Sequence, residues 1–374
     1  MTEVGVNLLW LAPGRVGGSE ESTLASLRAI HERSPEDLRL RLFATRGLVD
    51  AHPDLPGRFP VELLPAAVGA RPLRLVAEST WLAARTRGLD LVHHAGGTLP
   101  PVRTAPAVLT LHDLQPLERT ATHGRVKRTY LGVAVPRSLA AARVVVVPSE
   151  FVAGTVRSRF PEVAPKLRVV PHGVAAPPVV GEEAVAAVRD RLRLDGPVVL
   201  YPAITYPHKN HRVLVAAFAQ VVRQHPDAVL VLTGGPGSEE AALADQVRAL
   251  GLEAHVRRTG RIPADELAAL YRLAAVVAVP SRYEGFGLPA AEAMAHGAPL
   301  VAATAGALPE VVGDAGVLVD PDDVAAWAAA IAALVGDDAE RARLAEAGRR
   351  RAAALSWSAN AEGLLAAYRE ALGT

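Results

Sequence analysis

Two successive series of short aliphatic and β-branched runs, each run followed by a stretch of helical period, govern what this chain can fold into. The first series reads as strands at Gly5–Leu11, Leu38–Ala44, Leu91–His94, Ala107–Leu111, Val144–Val147 and Leu167–Val170. The second starts at Val198–Ala203 and continues through Val229–Thr233, His255–Arg258, Val276–Val279, Leu300–Ala303 and Gly316–Val319. Runs that are apolar throughout suit strands covered on both faces, and the intervening helices supply the crossovers that parallel strands need. The pattern predicts an α/β protein with two doubly wound parallel sheets. Between the series, Ala175–Glu183 holds two prolines and a glycine without periodicity and is expected as the linker. The expected domains are residues 1–176 and 184–356, with a terminal helix over about 357–374 that has Ser358 as N-cap and Leu364, Leu365 and Tyr368 on one face. The segments VVVVPSEF at 144–151 and VVAVPSRYEGFG at 276–287 are expected to fill the same slot in each domain.

A chain of 374 residues, 50% apolar, 21% charged and 4% aromatic, has the balance of a globular protein and excludes a disordered one. It contains no cysteine, which removes disulfides, thiolate metal sites and cysteine nucleophiles. The N-terminus shows no basic region and no cleavable apolar stretch, and no segment reaches the roughly 18 apolar residues of a membrane span. Val324–Val335 is short and alanine-rich and reads as a buried helix. A cytoplasmic protein is expected.

The net charge of +1 conceals an asymmetry. Residues 1–175 carry 22 Lys and Arg against 15 Asp and Glu, and residues 176–374 carry 18 against 24. Arg119, Arg125, Lys127, Arg128, Arg137 and Arg143 form a stretch without a single acid. Such a face attracts a phosphorylated acceptor or a lipid headgroup, or it is a solvated helix face paired with carboxylates elsewhere. No nucleic-acid motif accompanies it, and aromatic platforms are lacking, so nucleic acid is not an expected partner.

In doubly wound sheets, ligands sit beyond the carboxyl ends of the strands, so chemistry is sought in the loops there. Pro13–Glu20 has the spacing G-x-x-G-G before an amphipathic helix; it is a tight turn or an anion site at a helix N-terminus. It does not match the dinucleotide fingerprint, and the second strand ends at Thr45-Arg46 with no acid for a ribose. Lys209, on the short turn Tyr206–His211, can neutralise a phosphate as a point charge, or is an exposed lysine beside an Asn210 cap. The segment Ser281–Glu292 is the most informative. Glu284 falls in a loop, Glu292 about one turn into a helix started by Pro289, and the backbone of Gly285–Leu288 offers amides to an anion. Carboxylates on either side of such a site can accept hydrogen bonds from sugar hydroxyls.

Glu284 and Glu292 with GFGLP between them resemble the E-x7-E signature of retaining glycosyltransferases of the GT-B fold, family 4. The resemblance extends through GRVGGSE, TLHDL at 110–114, PSEF at 148–151, PHGV at 171–174, PHKNH at 207–211, LTGG at 232–235, TGRI at 259–262, LPEVVGDAG at 308–316 and LSWS at 355–358. It implies two Rossmann-like domains facing a central cleft, with the C-terminal helix crossing back to the N-terminal domain. It implies that Glu292 holds the ribose, and that Glu284, Gly285, Phe286, Gly287 and Leu288 hold donor sugar and diphosphate. Lys209 would neutralise the diphosphate with help from Gly17 and Gly18, and Gly234, Arg261 and Ile262 would line the nucleotide. His112 and Asp113 would face sugar and acceptor. Many members place an arginine six residues before the lysine, where this chain has Ala203, leaving Arg15 or Arg282 to replace it. The YP…HKNH version is reminiscent of mannosyl- and related hexosyl- or deoxyhexosyltransferases, which puts GDP-mannose first as donor.

The expected reaction is a metal-independent, retaining transfer of a hexose to an acceptor hydroxyl by same-face attack, with Glu284, His112 and Lys209 as the catalytic set and no cofactor. The acceptor is a sugar, polyol, natural product or lipid-linked molecule; a peripheral contact with anionic membrane at its inner face would suit the last. The D-x-D of Asp320–Asp322 reads as a turn followed by a cap at Asp323, not a metal site. His93 and His94 read as satisfied core or rim histidines, and His172 as structural. The alternatives are a GT-B-fold epimerase or phosphorylase and a nucleotide-sugar-binding partner with little activity.

Overall fold

The computed structural model describes all residues except 1, 14–17, 67–70 and 119–124, and only the backbone of 116, 118 and 125–127. The chain divides into two compact units: Met1–Gly173 with Trp357–Thr374, and Val174–Ser356.

The first unit contains β1 (Thr2–Asn7), β2 (Leu38–Ala44), β3 (Val61–Leu63), β4 (Leu91–His94), β5 (Ala107–Thr110), β6 (Val144–Val147) and β7 (Leu167–Val169). They form one sheet in the order β3-β2-β1-β4-β5-β6-β7. The second unit contains β8 (Val198–Pro202), β9 (Val229–Thr233), β10 (Val256–Gly260), β11 (Ala274–Val279), β12 (Leu300–Ala303) and β13 (Val317–Val319), in the order β10-β9-β8-β11-β12-β13. Every pairing in both sheets is parallel. The strand order reverses between β1 and β4 and again between β8 and β11, which makes those two places the switch points where ligands bind in such sheets.

The central strands are buried on both faces: all four valines of β6 and all five residues of β9 are buried. The C-terminal helix Trp357–Leu372 belongs to the first unit, where Ala361, Leu364, Leu365, Tyr368 and Ala371 pack into one core with Leu24, Leu27 and Ile30 of the Gly18–Arg33 helix. The Val324–Gly336 helix buries Trp327, Ile331 and Leu334, and Asp323 caps it by accepting from the amide of Ala326.

Four expectations change. β1 ends at Asn7 instead of Leu11, because the Asn7 carboxamide accepts from the Leu9 amide and Leu11 bonds back to Leu8, which turns the chain. β3 escapes the sequence pattern, being three partly exposed residues on the sheet edge. The C-terminal helix begins at Trp357, so Ser358 lies inside it; its hydroxyl accepts from Arg33 rather than capping the helix. The two Pro-Ser segments do not share a slot: β6 pairs β5 and β7, whereas β11 pairs β8 and β12 beside the switch point. Ser149 caps the helix that follows β6, while Ser281 leads into a loop.

Candidate active site

Lys209 follows β8 and Glu284 follows β11, the two strands of the second unit's switch point. Their side chains meet, with Nζ donating to Oε1 at 2.7 Å, and are 18% and 10% exposed. The lysine is therefore no free surface charge. Bonding to one carboxylate oxygen leaves further N–H groups of the ammonium for an incoming phosphate. Its turn closes through Lys209 N to Tyr206 O and Asn210 N to Pro207 O, and Asn210 takes a left-handed conformation at φ +58. Asn210 does not cap the following helix with its side chain.

Past Glu284, Phe286 is buried, and Gly287, at φ +101, turns the chain into the Leu288–Ala295 helix with no side-chain cap at its start. Pro289 sits in the first turn, as a helix start favours. The φ of Gly287 favours glycine for the turn, and a side chain there would also displace the end of Leu308, 2.8 Å away. Glu292 lies one turn in, where Tyr271 donates its phenol to Oε2 at 3.0 Å. Gly234, at φ +117, follows β9, and a side chain there would run into the carbonyl of Ala203 at 2.6 Å. Arg261 and Ile262 follow β10 at the far edge of the sheet. Lys209, Glu284, Gly287 and Glu292 thus surround the switch point, while Gly234, Arg261 and Ile262 belong to the neighbouring loops.

Ala203 is buried, and its methyl group offers no charge. Of the cations considered in its place, Arg282 is engaged by Asp322, and Arg15 lies outside the described residues. Asp320 accepts from the amide of Asp322, so the D-x-D forms a turn.

The first unit's switch point has its own polar cluster. Asn7 ends β1 and His94 ends β4; Asn7 Nδ2 lies 3.2 Å from His94 Nδ1 and donates to Glu78 at 3.1 Å. Glu78 opens a single π-helical turn, Glu78–Leu82, and burial pushes its carboxyl above the usual range. Arg74 stands 3.9 Å from Glu78, and Arg71 lies over the Tyr130 ring at 4.4 Å. The Nε atoms of both arginines are buried without a hydrogen-bond partner among the described residues. Burial, then the like charge of Arg74, lowers the Arg71 pKa. Among the described residues, one guanidinium thus stands beside a carboxylate that burial makes reluctant to ionise, and a second lies on an aromatic ring close by.

His112, after β5, donates Nε2–H to the carbonyl of Ala95 at 2.9 Å, which leaves Nδ1 as the lone-pair nitrogen. Burial lowers its pKa, so the ring is neutral at pH 7. Its ring packs 5.8 Å from Trp10 and 6.0 Å from His172. Asp113 accepts from the Gln115 amide and shapes the loop. His93 bonds Thr110 at 2.7 Å and Tyr368 at 2.8 Å, as a core histidine would. Gly18 opens the first helix, whose first turn already carries Glu20 and Glu21; Gly17 lies outside the described residues. Of the basic stretch, Arg119 also lies outside them, while Arg137 and Arg143 bond the carbonyls of Leu99 and Ala371. Among the described residues, no helix is long and apolar enough to cross a membrane, and no three His, Asp or Glu are grouped to hold a metal ion.

The sequence pattern missed Tyr201, Tyr271, Asn7, Glu78 and the Arg71–Arg74 pair. Tyr201 alone left a signal, as a phenol ending an otherwise aliphatic run.

Comparison with known proteins finds two family models. Residues 16–176 match glycosyltransferase family 4, and residues 187–351 match glycosyl transferases group 1. A D-inositol 3-phosphate glycosyltransferase of Salinispora tropica is 36% identical over 309 residues, covering 78% of this chain and 61% of that protein. One of Segniliparus rotundus is 34% identical, covering 78% of this chain and 63% of the relative. The chain thus spans about three fifths of the length of these relatives. Among solved structures, Anabaena HepE in complex with UDP and glucose superposes with a TM-score of 0.77 at 21% identity, covering 98% of this chain and 99% of that one. Sucrose-phosphate synthase of Thermosynechococcus elongatus superposes at 0.75 with 24% identity, covering 99% and 98%. At these identities the likeness is one of fold.

Proposed function

The chain belongs to the family 4 glycosyltransferases of the GT-B fold, and on that premise we propose that it transfers a hexose from a nucleoside-diphosphate sugar to an acceptor hydroxyl. The observation that carries this reading is the Lys209–Glu284 pair at the β8/β11 switch point, beside a glycine-opened helix N-terminus. Cleaving the bond from the anomeric carbon to the diphosphate leaves negative charge on phosphate oxygen. Lys209 and the amides around Gly287 meet that charge where it develops. Glu284 orients the lysine and accepts from sugar hydroxyls, and Glu292, steadied by Tyr271, accepts from the ribose. The acceptor oxygen attacks the anomeric carbon on the face the diphosphate leaves, and its proton passes to the departing phosphate oxygen, with retention. The cation in this scheme is Lys209, so turnover is expected to survive EDTA.

A uridine nucleotide is the favoured donor, since HepE, which shares the fold, is seen with UDP and glucose. GDP-mannose rests on the PHKNH segment alone and finds no support in the comparisons. The acceptor is a phosphorylated polyol. Among the described residues, Arg74 has only the burial-hindered carboxylate of Glu78 at 3.9 Å and Arg71 rests on the Tyr130 ring, so an anion would suit that cluster. The relatives' activity toward an inositol phosphate points the same way.

A thermal-shift panel of UDP, GDP, ADP and TDP, with their sugars, tests the donor. One base should raise the melting temperature, as about 2.7 kcal/mol at a hundredfold excess over Kd would. The shift should vanish in Glu292→Ala; flat responses to every nucleotide would end the donor reading. For the acceptor, Arg74→Ala should raise KM for a phosphorylated polyol about tenfold or more and leave an unphosphorylated one unchanged. Flotation with anionic vesicles is the arm that would expose a lipid-linked acceptor instead.

A further inference from the structure

Three cross-links join the turn that carries Lys209 to the loop that carries Glu284. The amide of Arg282 donates to the carbonyl of His208 at 2.8 Å. The phenol of Tyr201, fully buried at the end of β8, donates to the carbonyl of Lys209 at 2.8 Å. Its one proton being used there, it accepts from Ser281 Oγ at 3.0 Å. The carboxamide of Asn210, 3% exposed, donates to the carbonyls of Pro280 at 3.0 Å and Pro321 at 2.6 Å.

These side chains are costly choices for simple packing. Asn210 Oδ1 is buried without a hydrogen-bond partner among the described residues, and glycine would supply φ +58 without that cost. Phenylalanine would fill the place of Tyr201 against the His211 ring, 4.7 Å away, and bring no polar atom into the core. What tyrosine and asparagine add is the set of bonds between the two loops. An ion pair cannot by itself keep Lys209 in place once a phosphate competes with Glu284 for the ammonium. Anchors on the backbone on either side can.

We propose that Tyr201 and Asn210 are positioning residues of the donor site, holding the Lys209 turn against the Pro280–Glu284 loop so that the ammonium stays aimed at the diphosphate. This rests on the donor-site reading above.

The test is calorimetric binding of UDP and UMP, with GDP and GMP run beside them, to wild type, Tyr201→Phe, Asn210→Gly, Lys209→Ala and Tyr201→Phe/Lys209→Ala. Lys209 acts on the diphosphate, so its misplacement should erode the preference for diphosphate over monophosphate, which a loss of stability alone would not do. Each positioning variant should reduce that preference about fivefold or more and leave the monophosphate Kd within about twofold. In the Lys209→Ala background, Tyr201→Phe should cost nothing further. Should Asn210→Gly fail to fold, Ser281→Ala, which removes only the bond to Tyr201, takes its place. An unchanged preference in folded variants, or an equal loss with Lys209 already removed, overturns the proposal and leaves the donor site standing. Should the thermal-shift panel single out ADP or TDP, that diphosphate and its monophosphate take the place of the uridine pair; a wild type that binds no nucleoside diphosphate of the panel overturns the donor-site reading and this proposal with it.

Discussion

The phenol of Tyr271 donates to Glu292 Oε2 at 3.0 Å, and its ring stacks on His296 with centroids 4.5 Å apart. In the proposed donor site Glu292 binds the two vicinal hydroxyls of a ribose, and a carboxylate does so best when its plane is fixed in advance, which this bond does. Tyr271→Phe keeps the ring on His296 and removes only the donor. It should weaken nucleotide binding by about tenfold or less, the worth of one hydrogen bond to a charged group, with little change in melting temperature. Isothermal titration with the cognate nucleotide checks this, and unchanged affinity would show that Glu292 needs no help from Tyr271.

The Lys209–Glu284 pair makes opposite demands on stability and activity. Removing one partner leaves the other charge nearly buried and alone, so Lys209→Ala or Glu284→Ala should destabilise the second unit by about 1–3 kcal/mol, less than a fully buried pair because some solvent reaches it. Lys209→Met with Glu284→Leu should recover most of that loss and none of the turnover. Denaturant titration beside a product assay separates the two effects. Recovery of activity in the double variant would mean that the pair only holds the loops together.

How much of this was legible beforehand depended on the kind of signal. Strands such as Val144–Val147 and Val229–Thr233 were readable because burial on both faces demands unbroken apolar runs. The Glu284 and Lys209 loops were readable because each follows such a strand and carries charge where a core would exclude it. Strand β3 was not, since an edge strand of three half-exposed residues has little to encode. Nor was the role of Asn210: its sequence position before a helix suggests a cap, and only the fold brings the carbonyls of Pro280 and Pro321, 70 and 111 residues away, within reach of its amide. The Asn7–Glu78 bond is hidden for the same reason, because its partners lie 71 residues apart and only the fold joins them.

Gly287 meets a backbone demand that alanine meets only under strain. At φ +101 an L side chain is strained, and its Cβ would stand 2.8 Å from Leu308. Gly287→Ala should cost about 1–3 kcal/mol and lower donor affinity, because relieving the strain re-aims the amides that open the Leu288–Ala295 helix. Equal losses of stability with undisturbed nucleotide affinity would place those amides outside the donor site. Melting curves and titrations on one preparation give both numbers.

Acid should weaken the fold through histidines that are buried neutral. Burial is the main cause that holds His93, His94, His172 and His211 at about 3, against an ordinary 6.5. Between those values the unfolded chain binds more protons than the folded one, so stability is complete above pH 6.5 and drains away as pH falls toward 3, by at most about 1.4 kcal/mol per pH unit for each histidine. His211 is the cleanest to isolate. It packs on Tyr201, with Arg258 and Lys209 disfavouring its charge and the Ala203 backbone and Glu240 opposing them, and neither ring nitrogen makes a well-formed hydrogen bond among the described residues. Phenylalanine can occupy its place and cannot take up a proton. Unfolding of wild type and His211→Phe at pH 7, 6 and 5 should show a smaller loss in the variant; parallel curves would mean that His211 is already protonated in the folded protein or that its surroundings admit water.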